Sequence, residues 1–209
     1  MSLENIQSLR FKDIQTDGDQ PRRWPSCDLY MPAGSILQVV GRNGSGKSTF
    51  LRVLAGLLPS QGLMSQDGSR FCPQELHWRK QIFYLSPYCL DIHHPEQYLA
   101  QQYYLDSGCR ATAKHLHGLV KQLGFAKKTQ RYAGYSSGEQ RRLQLSPMLY
   151  TKRSLWLLDE IFCHLDETWQ AWVQQRISAH IERGGWVVLT THGHYQADQY
   201  YHLDHCAAS

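Results

Sequence analysis

Eight consecutive residues, Gly41-Arg42-Asn43-Gly44-Ser45-Gly46-Lys47-Ser48, set a lysine and a hydroxyl behind three spaced glycines. They follow a short apolar run and open a helical pattern, the context in which G-x-x-x-x-G-K-[ST] cradles phosphates. Glycines let successive backbone N–H groups turn inward, and the N-terminus of a helix adds a favourable dipole for an anion. In such a loop Lys47 reaches the β- and γ-phosphates, while the Ser48 hydroxyl is a ligand for Mg²⁺. A tight Gly-rich turn is the competing reading, but it gives no packing reason for Lys-Ser at a helix start. The expectation is a nucleotide bound with Mg²⁺ by Gly41, Arg42, Asn43, Gly44, Ser45, Gly46, Lys47, Ser48 and Thr49.

Leu155-Trp156-Leu157-Leu158 is an apolar run that ends abruptly in Asp159-Glu160. Ligands of open α/β sheets sit at the carboxyl ends of the strands. Asp159 is therefore a second candidate for Mg²⁺, and Glu160 the candidate general base for an attacking water. An acidic pair at a helix start is the plainer alternative. Thr190-Thr191-His192 follows another apolar run, Trp186-Val187-Val188-Leu189, so His192 is placed to touch a γ-phosphate. Tyr135-Ser136-Ser137-Gly138-Glu139 precedes a helical pattern, and taken alone it is an N-cap.

These groups need a scaffold. Ser35-Ile36-Leu37-Gln38-Val39-Val40 and Ile82-Phe83-Tyr84-Leu85 read as buried strands, like the two runs above. Apolar residues at helical spacing predict a helix over 47–58 stopped by Pro59, a helical stretch over 95–124, and a helix over 168–182 closed by Gly184-Gly185. Asp67-Gly68 predicts a hairpin turn. Strands alternating with helices imply an α/β fold with a largely parallel sheet, interrupted by a helical subdomain over about 88–150. The 209 residues fit one domain with a full core. A net charge of +4 without a dense basic run argues against nucleic acid as a partner. No apolar stretch is long enough to span a bilayer, and the N-terminus has no export-signal pattern. The six cysteines contain no Cys-x-x-Cys pair and read as free thiols; His93-His94, His115-x-His117 and His192-x-His194 lack further ligands at a metal spacing.

Together the four ordered motifs resemble the ATP-binding cassette (ABC) ATPases, a family of P-loop NTPases, over nearly the whole chain. Gly41–Ser48 is similar to Walker A, Tyr135–Glu139 to the signature motif, Leu155–Glu160 to Walker B, Leu165-Asp166 to the D-loop and His192 to the switch histidine. The resemblance implies a parallel-sheet core with an antiparallel β subdomain and a helical one. It also implies a head-to-tail homodimer in which Ser136, Ser137, Gly138 and Glu139 face the nucleotide held by the partner copy. Within the family, Ala33–Gly44, Leu51–Leu57 and Gly184–His192 are similar to the ATP-binding subunits of the haem exporters of cytochrome c maturation. That likeness implies a peripheral subunit on the cytoplasmic face of the inner membrane, docked on integral membrane subunits. Several residues depart from the family pattern. Tyr88 stands where a glutamine follows the 82–85 strand, Ile161 replaces a proline, Ser137 and Glu139 replace a glycine and a glutamine, and Pro147 is expected to kink the helix after the signature. Trp24 is the candidate for stacking adenine. Tyr88 keeps open a second reading, a nucleotide-binding regulatory subunit with little hydrolysis.

Overall fold

The computed structural model describes residues 7–17, 24–88, 90, 92, 94–125 and 135–205, so His93, Cys89 and Cys206 lie outside the described residues. The chain divides into two compact units, one within 1–87, 153–161 and 177–209, the other within 88–152 and 162–176.

The first unit holds both sheets. Strands β1 (Ser8–Thr16), β2 (Asp28–Pro32), β4 (Ser60–Gln66) and β5 (Ser69–Arg70) form an antiparallel sheet in the order β2-β1-β4-β5. Burial alternates along β2, with Leu29 and Met31 inward and Asp28, Tyr30 and Pro32 outward, as expected of a sheet with one solvated face. The hairpin turn sits at Asp67-Gly68, both residues with positive φ (48° and 79°), the geometry that matches strand twist.

Strands β3 (Ile36–Val40), β6 (Ile82–Leu85), β7 (Leu155–Leu158), β8 (Trp186–Leu189) and β9 (Gln199–His202) form a second sheet, ordered β6-β7-β8-β3-β9. Every pairing in it is parallel. All residues of β7 and β8 are buried, the continuous apolar pattern of strands covered on both faces. The carboxyl ends of β3, β7 and β8 lead into the phosphate loop, the acidic pair and Thr190–His192.

Helix α1 (Lys47–Leu54) is shorter than the 47–58 pattern predicts. It stops at Gly56, whose φ is +67°, with the Gly56 N–H donating to Val53 O and the Leu57 N–H to Arg52 O. This glycine-closed end satisfies the last carbonyls before Pro59 is reached. A Cβ on Gly56 would lie 1.9 Å from the Pro73 carbonyl oxygen, so tertiary packing demands the glycine. A short helix α2 (Leu76–Arg79) precedes β6. Gly184 ends the helix over 167–181 in the same way, with φ +82° and the Gly185 N–H donating to His180 O.

His180 stacks flat on Trp156 of β7 (4.0 Å between centroids, 9° between planes), and its Nε2 donates to the Ser154 carbonyl at 2.9 Å. Burial pushes its pKa from 6.5 down to about 4, opposed by the Ser154 carbonyl. The unfolded chain binds this proton below 6.5 and the native chain only near 4, so unfolding takes up a proton in between. The contribution of neutral His180 is complete above pH 6.5 and is lost as pH falls towards 4, an effect of about 3 kcal/mol at most. Denaturant midpoints between pH 7 and 4 are expected to fall more steeply for the parent than for His180→Gln; parallel curves would refute this.

The second unit is helical. The 95–124 pattern divides into α3 (Pro95–Ser107) and α4 (Ala113–Gln122). Gly108 in the left-handed conformation closes α3, and Thr112 caps α4 by accepting the His115 N–H. Leu99, Leu119, Leu123, Phe125 and Leu143 form the core. Helix α5 (Ser137–Gln144) ends before Pro147, which opens a separate 3-10 turn over Ser146–Leu149. The expected kink is thus a clean stop, because proline suits the first turn of a new segment better than a helix interior. Helix α6 (Glu167–Ile181) begins in this unit, with Asp166 accepting the Trp169 N–H as its N-cap.

Candidate active site

β3 delivers Gly41 into the loop, and α1 begins at Lys47. Gly44 and Gly46 have φ of 82° and 102°, a conformation that an L side chain adopts only at a cost. Successive N–H groups in such a turn form an anion-binding concavity. Lys47 Nζ lies within the loop, donating to Gly41 O at 2.8 Å and Arg42 O at 3.4 Å. Ser45 Oγ is buried and has no hydrogen-bond partner among the described residues, a polar atom with capacity for a ligand. The Arg42 N–H donates to both oxygens of Asp204 (2.9 and 2.8 Å), which ties the loop to the segment after β9. A cavity of about 540 Å³ lies against this loop, lined by Arg42, Asn43, Lys47, His192, His194 and His202 among others.

At the ends of β7 and β8 the acidic pair and the histidine meet. Asp159 is fully buried. The Thr190 hydroxyl donates to Asp159 Oδ1 at 2.8 Å and accepts the Glu160 N–H at 2.8 Å, so one buried threonine holds the Asp159 carboxylate and the Glu160 backbone. Glu160 has φ of +47°, left-handed without being glycine, a strain of about 1–2 kcal/mol. The Ile161 N–H donates to Thr190 O at 3.4 Å, a bond that a proline at this position lacks. His192 Nε2 lies 3.4 Å from Glu160 Oε2, with the imidazole exposed and the carboxylate mostly buried. Burial pushes the neighbouring Tyr84 hydroxyl above its ordinary pKa; Arg52 opposes that shift and Asp159 adds to it.

In the helical unit, Ser136 caps α5 within a complete capping box. The Glu139 N–H donates to Ser136 Oγ at 3.3 Å, and the Ser136 N–H donates to Glu139 Oε2 at 2.9 Å. Glu139 is thereby turned back onto the helix end, with Arg142 3.7 Å away. Arg142 in turn lies over the rings of Phe125 and Trp169. A Cβ on Gly138 would stand 3.0 Å from the His164 carbonyl oxygen, which accounts for glycine there but not at Ser137.

The first unit therefore brings together the predicted phosphate loop, Asp159, Glu160 and His192, whereas the signature residues belong to the second. Trp24 does not offer a face to adenine: it is 4% exposed and packs edge-on against Phe50 in the core. Tyr88 is exposed, and its carbonyl accepts from Gln144 Nε2 at 2.9 Å. Sequence reasoning missed Thr190, Gln38 and Asp204. The one available signal was a glutamine inside the otherwise apolar Ile36–Val40 run.

A parallel sheet carrying this loop and acidic pair, an antiparallel sheet and a helical unit together define an ABC-type ATPase domain. Residues 25–162 match the ABC transporter family, and the chain belongs to that family as an ATP-binding subunit of the CcmA type. It is 37% identical over 176 residues to the cytochrome c biogenesis ATP-binding export protein CcmA of Idiomarina loihiensis, covering 80% of this chain and 77% of that one. It is 32% identical to the CcmA of Dechloromonas aromatica, over 92% of both chains. Among solved structures it is similar to a putative ABC transporter ATP-binding protein from Pyrococcus furiosus, with a TM-score of 0.73 at 20% identity, covering 94% of this chain and 97% of that one. Among the described residues no helix is long and apolar enough to cross a membrane.

Proposed function

We propose that this chain hydrolyses ATP as a homodimer docked on integral membrane subunits, at the cytoplasmic face of the inner membrane, and so powers haem export for cytochrome c biogenesis. The observation that carries the hydrolytic part is the meeting of Glu160 and His192 at 3.4 Å, with Lys47 and His192 lining one cavity. Glu160 takes the proton of the attacking water, and His192 contacts the γ-phosphate. Lys47 leaves the Gly41 and Arg42 carbonyls to face the β- and γ-phosphates. Ser48 and Asp159 supply a hydroxyl and a carboxylate, hard oxygen donors that suit Mg²⁺, the ion that neutralises charge on the transferred phosphoryl group. The N-terminus of α5, at Ser136, Ser137, Gly138 and Glu139, faces the γ-phosphate held by the partner copy, where the helix dipole favours an anion. Support for the cargo comes from relatives named as export proteins of cytochrome c biogenesis.

Tyr88 favours a second reading, a regulatory subunit that binds ATP and barely turns it over. A glutamine amide both donates to water and accepts; a phenol offers one oxygen at a different reach. Phosphate release is measured for the parent and Tyr88→Gln, alone and with the co-expressed membrane subunits, alongside holo-cytochrome c formation in cells. The expectation is slow release by the parent alone, stimulation by the membrane subunits, and a gain of about tenfold in Tyr88→Gln, equivalent to ~1.4 kcal/mol of barrier. Negligible release with partners present supports the regulatory reading, and undisturbed cytochrome c in cells lacking the chain overturns the haem assignment.

A further inference from the structure

Gln38 stands in the middle of β3, the strand that ends in the phosphate loop, and it is only 2% exposed. A glutamine there needs a reason, because burying an amide without partners costs about 1–3 kcal/mol. Its Nε2 donates to the Gly193 carbonyl at 2.9 Å, and its Oε1 accepts the Tyr195 N–H at 3.0 Å. One planar amide thus uses both its functions on the segment that directly follows His192. Neither a carboxylate nor an aliphatic side chain supplies both.

Other contacts on that side are few and leave the ring itself unheld: the Gly193 N–H donates to Thr191 Oγ1 at 3.4 Å, the Tyr200 hydroxyl donates to the Tyr195 carbonyl at 2.9 Å, and the His194 ring lies 5.2 Å from that of Tyr200. The His192 ring is 64% exposed, so packing does not hold it. Around Gly193 the space is open: a Cβ there would meet nothing within 4 Å. Upstream, Thr190 is tied to Asp159 and Glu160 by the two bonds of its hydroxyl. Downstream, Gln38 holds the Gly193 carbonyl and the Tyr195 N–H, beside the bond from Tyr200 to the Tyr195 carbonyl. Register makes this possible, since Gln38 lies opposite Leu189, the last residue of β8, and its side chain reaches the chain just beyond.

We infer that Gln38 is a positioning residue for His192, coupling the strand that carries the phosphate loop to the histidine 3.4 Å from Glu160. The inference rests on the reading of Glu160 and His192 as hydrolytic groups. Without the amide the 191–195 segment keeps its chain connections and the Tyr200 bond but loses the two bonds that tie Gly193 and Tyr195 to β3. The His192 ring then samples orientations away from Glu160, while the phosphate loop, held by α1 and by Asp204, still binds nucleotide.

The test uses the full chain with its membrane subunits, in single-turnover phosphate release where slow rates remain measurable, together with nucleotide titration. Variants are Gln38→Met, which keeps the volume, Gln38→Glu, which keeps the acceptor and the shape, His192→Ala, and each combination. Gln38→Met is expected to slow hydrolysis by about tenfold, ~1.4 kcal/mol of barrier, with nucleotide affinity within about twofold of the parent. In the His192→Ala background the same substitution is expected to have no further effect, because both act on one group. Gln38→Glu should show the same pattern, and it carries the test if Gln38→Met fails to fold. A parental rate in the Gln38 variants, an equal loss with and without His192, or a loss of affinity matching the loss of rate overturns the inference. Parental hydrolysis by His192→Ala alone overturns instead the hydrolytic reading on which it rests.

Discussion

Lys47→Ala is expected to lower nucleotide affinity by about 100- to 1,000-fold while leaving the fold intact. On the proposed reading the ammonium faces the β- and γ-phosphates, and hydrogen bonds to charged groups contribute about 1.5–3 kcal/mol each. At 1.4 kcal/mol per tenfold that range is a loss of about 2.8–4.2 kcal/mol, the middle of what one or two such bonds contribute. The structural cost is small, because among the described residues Lys47 Nζ bonds the Gly41 and Arg42 carbonyls, and both residues line the open cavity, where water can replace it. The melting temperature of the nucleotide-free protein should therefore match the parent's. The rise in melting temperature on adding MgATP should vanish, since stabilisation by a ligand depends on its concentration relative to Kd. Isothermal titration and thermal melts check both halves. Unchanged affinity would remove Gly41–Ser48 from the nucleotide site, and a large loss of stability without nucleotide would make the lysine structural.

What the sequence discloses about this chain follows the range of the interactions involved. The phosphate loop is legible because its requirements are local: Gly44 and Gly46 supply the backbone angles, and the lysine and hydroxyl follow at the first turn of α1. The strands β7 and β8 are legible because burial on both faces demands unbroken apolar runs. Helix ends are less so. The pattern over 47–58 points to Pro59, yet the helix stops at Gly56 because the Pro73 carbonyl approaches where a Cβ would be, a contact between distant residues. Trp24 shows the limit of residue type, since the same ring serves a stacking platform or a core, and only the Phe50 contact decides between them. Gln38 and Thr190 are legible only once register is known. Nothing local says that an amide on β3 meets the backbone after β8, or that a threonine beyond β8 meets the Asp159 carboxylate and the Glu160 N–H beyond β7. Glu139 is a departure that structure explains: the carboxylate is consumed by the capping box and Arg142.

Glu160→Gln is expected to stop turnover while ATP remains bound. A positioned general base contributes about 100- to 10,000-fold, so phosphate release should fall within that range. The substitution isolates basicity, because glutamine copies the size of the side chain and leaves its environment in place. The Glu160 N–H still donates to Thr190 Oγ1, and the left-handed φ of 47° costs both residues the same, so stability should be within about 0.5 kcal/mol of the parent. The bonds of Thr190 and Gln38 are untouched, so the loop over 190–195 keeps its place; what is lost is a group able to take the proton of water. Nucleotide affinity should be retained, since Lys47 and the loop amides are untouched. If two copies close on ATP and separate only after hydrolysis, the variant should also accumulate as an ATP-bound dimer, visible by light scattering as a doubling of mass that Lys47→Ala, added to the same chain, abolishes. Hydrolysis at the parental rate would show that Glu160 is not the base. Arrest of turnover with loss of ATP binding would place Glu160 in binding instead, and arrest with binding intact assigns the proton transfer to this carboxylate.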